Sequence, residues 1–190
     1  MTKKYWLFTY FLIFSIGASP IFATDNVPVS HFLYSKSGEF VELEDGSLWS
    51  INPSNKKTLQ SWSPGDPLIL APTSSSALLG YPYYISNRNT ESYIYVSLHQ
   101  KPLQRGANTF EISYINPNSG NVTIYNGESH CGFIVNSKDF PLLHGWEVAN
   151  PILVGLNDNW IAKKDFLWKH NFILVNLEKN NFVKASLENN

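Results

Sequence analysis

Cysteine, methionine and arginine are nearly missing from this 190-residue chain, which has one Cys, one Met and, among 14 basic residues, only Arg88 and Arg105 as arginines. A lone Cys131 cannot close an internal disulfide, so stability has to come from packing. Scarce arginine argues against a nucleic-acid partner, because such surfaces need clustered cations to displace counterions. No helical pattern of ten or more residues is visible, which disfavours a parallel α/β architecture. What is present is apolar: 43% of residues are hydrophobic and 15% aromatic against 15% charged, the profile of a chain that buries a real core.

The one long apolar run is at the start. Lys3 and Lys4 precede the uncharged stretch Tyr5–Ser19, followed by Pro20, Ile21, Phe22 and Ala23 and then polar Thr24-Asp-Asn26. Those are the basic, apolar and small-residue zones of a secretory signal peptide, with cleavage expected after Ala23. The alternative is an uncleaved N-terminal anchor, for which Tyr5–Ala23 is barely long enough. Cleavage leaves 167 residues with 12 basic and 15 acidic side chains, a net charge of −3 and no further membrane span. The expected location is secreted or periplasmic.

The rest contains an internal repeat. Trp49-Ser-Ile-Asn52 through Leu59, Trp62, Pro67 and Leu68-Ile-Leu70 lies over Phe133-Ile-Val-Asn136 through Leu143, Trp146, Pro151 and Ile152-Leu-Val154 at a constant offset of 84. Upstream, Val41–Gly46 matches Val122–Gly127 at offset 81; downstream, Tyr83–Asn87 and Tyr93–Leu98 match Phe172–Asn176 and Phe182–Leu187 at offset 89. An offset that only rises needs two short insertions, both where turns tolerate them. The chain reads as a tandem duplication, with units at 36–98 and 118–187 joined by a connector at 99–117.

Each unit reads as short strands. Phe40–Leu43 alternates, Asp45-Gly46 supplies a tight turn and Leu48–Ile51 follows, a hairpin that Asn126-Gly127 preserves in the second copy. Residues 53–61 suggest one helical turn capped by Ser54 or Asn55, with Trp62 closing the core. Leu68–Leu70, Tyr83–Ser86 and Tyr93–Leu98 complete five strands, so the expected class is all-β: two tandem five-stranded barrels of SH3-like or OB-like kind. Phe110, Ile112 and Tyr114 alternate in the connector and are expected to add a strand to the second unit. Trp49, Trp62, Trp146, Gly46 and Gly127 are assigned structural roles.

The residues Leu43-Glu-Asp-Gly-Ser47, Trp49, Trp62, Gly65-Asp66 and Leu68-Ile69 resemble a pattern of small exported bacterial domains of uncharacterised function, a DGS-x-W hairpin followed by a tryptophan, a GD turn and an apolar strand. The second unit departs from it at Phe133 and Ala149-Asn150. The resemblance implies architecture and export and no activity.

Candidate chemistry is sparse. His130 and Cys131 are neighbours in an extended segment and point to opposite faces, so they cannot pair with each other. The five histidines and Cys131 do not fall at metal-ligand spacing, so neither a metal nor a cofactor is expected. Glu42, Glu44 and Asp45 have no acidic counterparts in the second copy, and Glu42 and Glu44 are expected to share a solvent face, which disfavours glycoside hydrolysis. Tyrosines are the most suggestive group. Tyr84 and Tyr95 are expected on a binding surface, while Tyr83 and Tyr93 are assigned to the core because Phe172 and Phe182 replace them. Trp160 and Trp168 form a second candidate. The reading is an exported, non-catalytic binding module for a protein or glycan, with a glycan-acting envelope enzyme or a structural envelope component as alternatives.

Overall fold

The computed structural model describes residues 27–73, 80–103, 108–157 and 170–188. Among them twelve strands close into two antiparallel barrels of six. The first comprises β1 (Ser30–Ser37), β2 (Phe40–Leu43), β3 (Leu48–Ile51), β4 (Pro67–Pro72), β5 (Tyr83–Asn87) and β6 (Ser92–Gln100), in the order β1-β2-β3-β6-β5-β4. The second comprises β7 (Thr109–Asn116), β8 (Asn121–Tyr125), β9 (His130–Val135), β10 (Pro151–Leu156), β11 (Phe172–Asn176) and β12 (Asn181–Leu187), in the order β7-β8-β9-β12-β11-β10. The two orders are the same, with β7 standing where β1 stands.

Six strands replace the expected five. The additional strand of the first barrel is β1, most of which precedes residue 36, and that of the second is β7, within the connector. The latter was expected; β1 was not, because a bulge between Leu33 and Ser35 interrupts the two-residue alternation on which strands are recognised. The same irregularity lies between Ile112 and Tyr114 in β7. It bends both strands so that each can pair with its hairpin partner on one side and close the barrel on the other.

The repeat is built from side-chain contacts as well as strands. Asn52 and Asn136, both at φ −61° and ψ 131°, cap the helical turns, accepting from Ser54 N and Lys138 N; the cap therefore sits two residues before Ser54. The short helices α1 (Lys56–Gln60) and α2 (Phe140–Leu143) each bury one leucine, Leu59 and Leu143. Trp62 and Trp146 occupy equivalent core positions. Trp62 Nε1 donates to Ser92 Oγ and Trp146 Nε1 to Asn181 Oδ1, each at 2.8 Å. Ile94 and Val96 match Val183 and Ala185 as buried, inward-facing pairs.

The DGS-x-W hairpin has a local explanation. Asp45 Oδ1 accepts from Ser47 N (2.8 Å), and Ser47 Oγ accepts from Trp49 Nε1 (2.9 Å), so the turn satisfies the indole that it helps to bury. Gly46 and Gly127 both hold positive φ at the hairpin tips, 76° and 102°. In the second copy Asn126 Oδ1 accepts from Glu128 N and Ser129 N instead, and Phe133, which has no N–H, stands in place of Trp49.

One barrel rests on the other. The end of the first barrel that carries Tyr83, Leu70 and Leu33 meets the outer face of β10 and β11, where Leu153, Ile173 and Val175, with Leu177, join the first barrel's apolar cluster. Tyr83 stands edge-on to Phe182 at 5.6 Å. Gly155 lies under the Leu70 carbonyl; a Cβ there would overlap that oxygen and come within 2.9 Å of Ile173 Cγ1, so the close approach needs glycine. Polar contacts border the apolar contact: Thr109 Oγ1 donates to Asp45 Oδ2 (3.2 Å), and Lys101 pairs with Glu178 (2.7 Å).

Candidate functional site

Strands β5 and β6 pair so that Tyr84 faces Tyr95 and Ser86 faces Tyr93 across the ladder. Inward-facing Tyr83, Ile85, Ile94 and Val96 are buried, so period-two alternation sends Tyr84, Ser86, Tyr93 and Tyr95 outward. Tyr93 meets Tyr84 at 5.8 Å and 65° and Tyr95 at 5.5 Å and 77°, both edge-to-face. Tyr84 and Tyr95 are half-buried, whereas Tyr93 is 53% exposed. Beside them, Tyr84, Ser86, Asn87, Arg88, Glu91, Ser92 and Tyr93 line a cleft of about 320 Å³.

The floor of this cleft is held by the repeat's own turn chemistry. Asn87 Nδ2 donates to Asp66 Oδ2 (2.6 Å), while its Oδ1 accepts from Asn89 N and Thr90 N. Asn89 Nδ2 donates to Asp66 Oδ1 (2.8 Å) and Ser63 N to Asp66 Oδ2 (2.8 Å). The Ser63 amide, the Asn87 and Asn89 side chains and the Lys36 charge hold the Asp66 carboxyl below its ordinary value, outweighing the burial that opposes them. The second barrel keeps this bond as Asn176 Nδ2 to Asn150 Oδ1 (2.9 Å), so Asn87 and Ser92 are structural parts of the cleft. Arg88 and Glu91 are different. Both are exposed, and among the described residues neither side chain has an ion pair or hydrogen bond.

Sequence reasoning brought Tyr84 and Tyr95 to one surface, where the structure also has them. It assigned Tyr93 to the core, and the structure places that ring outside; it missed Arg88 and Glu91, which no spacing marks. Tyr83 is buried as expected, and that burial pushes its phenol well above the ordinary tyrosine range. Trp160, Trp168 and residues 1–26, with the cleavage site after Ala23, lie outside the described residues.

The remaining candidates have structural occupations. Glu44 does not share a solvent face with Glu42. Burial alone would raise the Glu44 carboxyl, but the hydrogen bond and charge of His31 (Nδ1 to Oε1, 3.2 Å) and the Phe32 amide (2.8 Å) together hold it low. His31 is buried, and its Nε2 reaches the Val154 carbonyl oxygen at 3.1 Å, bridging the two barrels. Glu42 accepts from Ser35 Oγ. Cys131 is half-buried, which pushes its thiol up and away from nucleophilic use, while His130 stacks on Tyr125 at 4.5 Å. Among the described residues no group of three His, Cys, Asp or Glu could hold a metal, and no helix is long and apolar enough to cross a membrane.

Compared with protein-family models, curated proteins and solved structures, the chain matches none.

Proposed function

We propose that the chain is an exported, non-catalytic binding module whose ligand surface is the tyrosine cleft on β5 and β6. One observation carries this reading: three tyrosines braced through Tyr93, and two charged side chains without an ion pair among the described residues, surround a cleft whose floor is held by hydrogen bonds. Large aromatics held edge-to-face lose little freedom when a ligand arrives, and the Asp66–Asn87 bonds keep the surface below them in place. The N-terminal sequence supports export. The resemblance to small exported bacterial domains, and the helical turn between β3 and β4 in the first barrel and between β9 and β10 in the second, support small barrels of SH3-like or OB-like kind.

A thermal-shift screen of the chain lacking residues 1–23 against glycans and peptides tests the reading. A ligand should raise the melting temperature by mass action, and Tyr93→Ala should abolish that rise without lowering the ligand-free value. A stabilising ligand indifferent to Tyr93→Ala places function elsewhere. Export is tested by N-terminal sequencing of the protein recovered outside the cytoplasm, which should begin at Thr24.

A further inference from the structure

The repeat supplies an internal comparison for the cleft. On the second barrel the corresponding outer face carries Leu153, Gly155, Ile173, Val175, Leu177 and Phe182, and there it receives the end of the first barrel. On the first barrel the same six positions hold Ile69, Ala71, Tyr84, Ser86, Arg88 and Tyr93. The comparison narrows what the first face can accept. Ala71 carries the Cβ that Gly155 must lack, so a second barrel cannot dock in the same way. Ile69 and Ala71 are themselves buried, on a strand, β4, that packs against β10. The open strip is therefore two strands wide, room for an extended chain rather than a globular surface.

The strip also lacks a free edge, because both barrels close. A peptide cannot add itself as a further strand there, which removes the main-chain hydrogen bonds from which extended peptides gain affinity on sheets. What is offered instead is one largely exposed ring, Tyr93, flanked by a donor-only guanidinium at Arg88 and an acceptor at Glu91. Their charges are opposite and neither is matched within the site, so the cleft favours a ligand that both donates and accepts and carries no net charge. Sugar hydroxyls do both, and pyranose C–H faces stack on aromatic rings.

Resting on the binding-module reading, we propose that this cleft takes a neutral saccharide chain, one sugar ring lying on Tyr93 with its hydroxyls shared between Arg88 and Glu91. The test is titration of the ¹⁵N-labelled chain lacking residues 1–23 with maltotriose, cellotriose, chitotriose and mannotriose, read from amide shifts. At least one should move the amides of Tyr84, Ser86, Arg88 and Tyr93 in a saturable way. Tyr93→Ala and Arg88→Met should each weaken it by about fivefold or more, with the melting temperature unchanged. No saturable shift at those amides from any of the four at about 10 mM overturns the proposal. Shifts at the same amides from a proline-rich peptide, with none from the sugars, overturn the saccharide and keep the binding surface; ligand shifts confined to other residues overturn both.

Discussion

In the second barrel the outer rows of β11 and β12 carry Ile173, Val175 and Phe182 and are closed against the first barrel, whereas in the first the same rows carry Tyr84, Ser86 and Tyr93 and face solvent. Much of what folds each unit is shared: the Asn cap, the Trp62/Trp146 indole with its hydrogen bond, the Asn-anchored turn and the bulge in the opening strand. What differs is the outward layer. One copy uses that face to join the two barrels, and the other carries tyrosine and arginine there in place of aliphatic side chains. The division of labour follows from side chains that the core does not need.

The comparison breaks most sharply at Gly155. Replacing it with Val forces a side chain into the Leu70 carbonyl, and because backbone cannot rotate away as a side chain can, the junction should lose about 3 kcal/mol. Urea unfolding of Gly155→Val should show the barrels melting separately, while Ala71→Gly, at the matching position, should keep the wild-type transition. A single unchanged transition for Gly155→Val would show that the barrels do not depend on this contact.

Phe182 and Tyr93 sharpen it next. Phe182→Ala removes a ring that packs on Tyr83 and should cost about 1–2 kcal/mol; Tyr93→Ala removes an exposed one and should cost less than about 0.5 kcal/mol. Chemical denaturation of the two variants side by side checks the ratio. Equal losses would put Tyr93 in the core after all.

This pair also shows what could be read from sequence and what could not. Trp62 and Trp146 were legible because a buried residue is constrained by its own barrel, and both copies build the same barrel. Tyr93 was misjudged by the same logic. Phe182 suggested a core position, yet Phe182 points outward and is covered by the neighbouring barrel, so its hydrophobicity reports an inter-barrel contact that has no counterpart at Tyr93. The His31 bridge to Val154 spans 123 residues with no periodicity to announce it, which is why Glu44 looked solvent-facing. Tyr95 could be placed outward because Lys184 occupies its position in the second copy.

Acid should separate the copies further, by a smaller amount. The carboxyls of Asp66 and Glu44 are held below their ordinary values in the folded chain, so the stability they contribute is present above the unfolded carboxylate range near pH 4 and is lost as pH falls through their folded values. Asn150 replaces Asp66 in the second barrel and has no proton to take up. Stability measured from pH 6 to pH 3 should therefore fall less steeply in Asp66→Asn than in the wild type. An identical slope would mean that the Asp66 contacts form equally well with the protonated acid. Glu44→Gln should likewise flatten the slope, since glutamine has no proton to take up over this range.

A further difference between the copies lies in the turn before β4 and β10. Gly65 and Ala149 are equivalent and both left-handed, at φ 86° and 68°. Glycine enters that region freely, while alanine is strained there by its Cβ. Ala149→Gly should therefore stabilise the second barrel by about 0.5 kcal/mol, the relief of strain being partly offset by the greater freedom of glycine in the unfolded chain; Gly65→Ala should destabilise the first by about 1 kcal/mol. Thermal melts of both variants give the sign directly. The two turns anchor the same pair of bonds, Ser63 to Asp66 and Glu147 to Asn150, so a loss on Ala149→Gly would mean that the second copy's turn is held by its surroundings tightly enough for glycine's freedom to outweigh the strain.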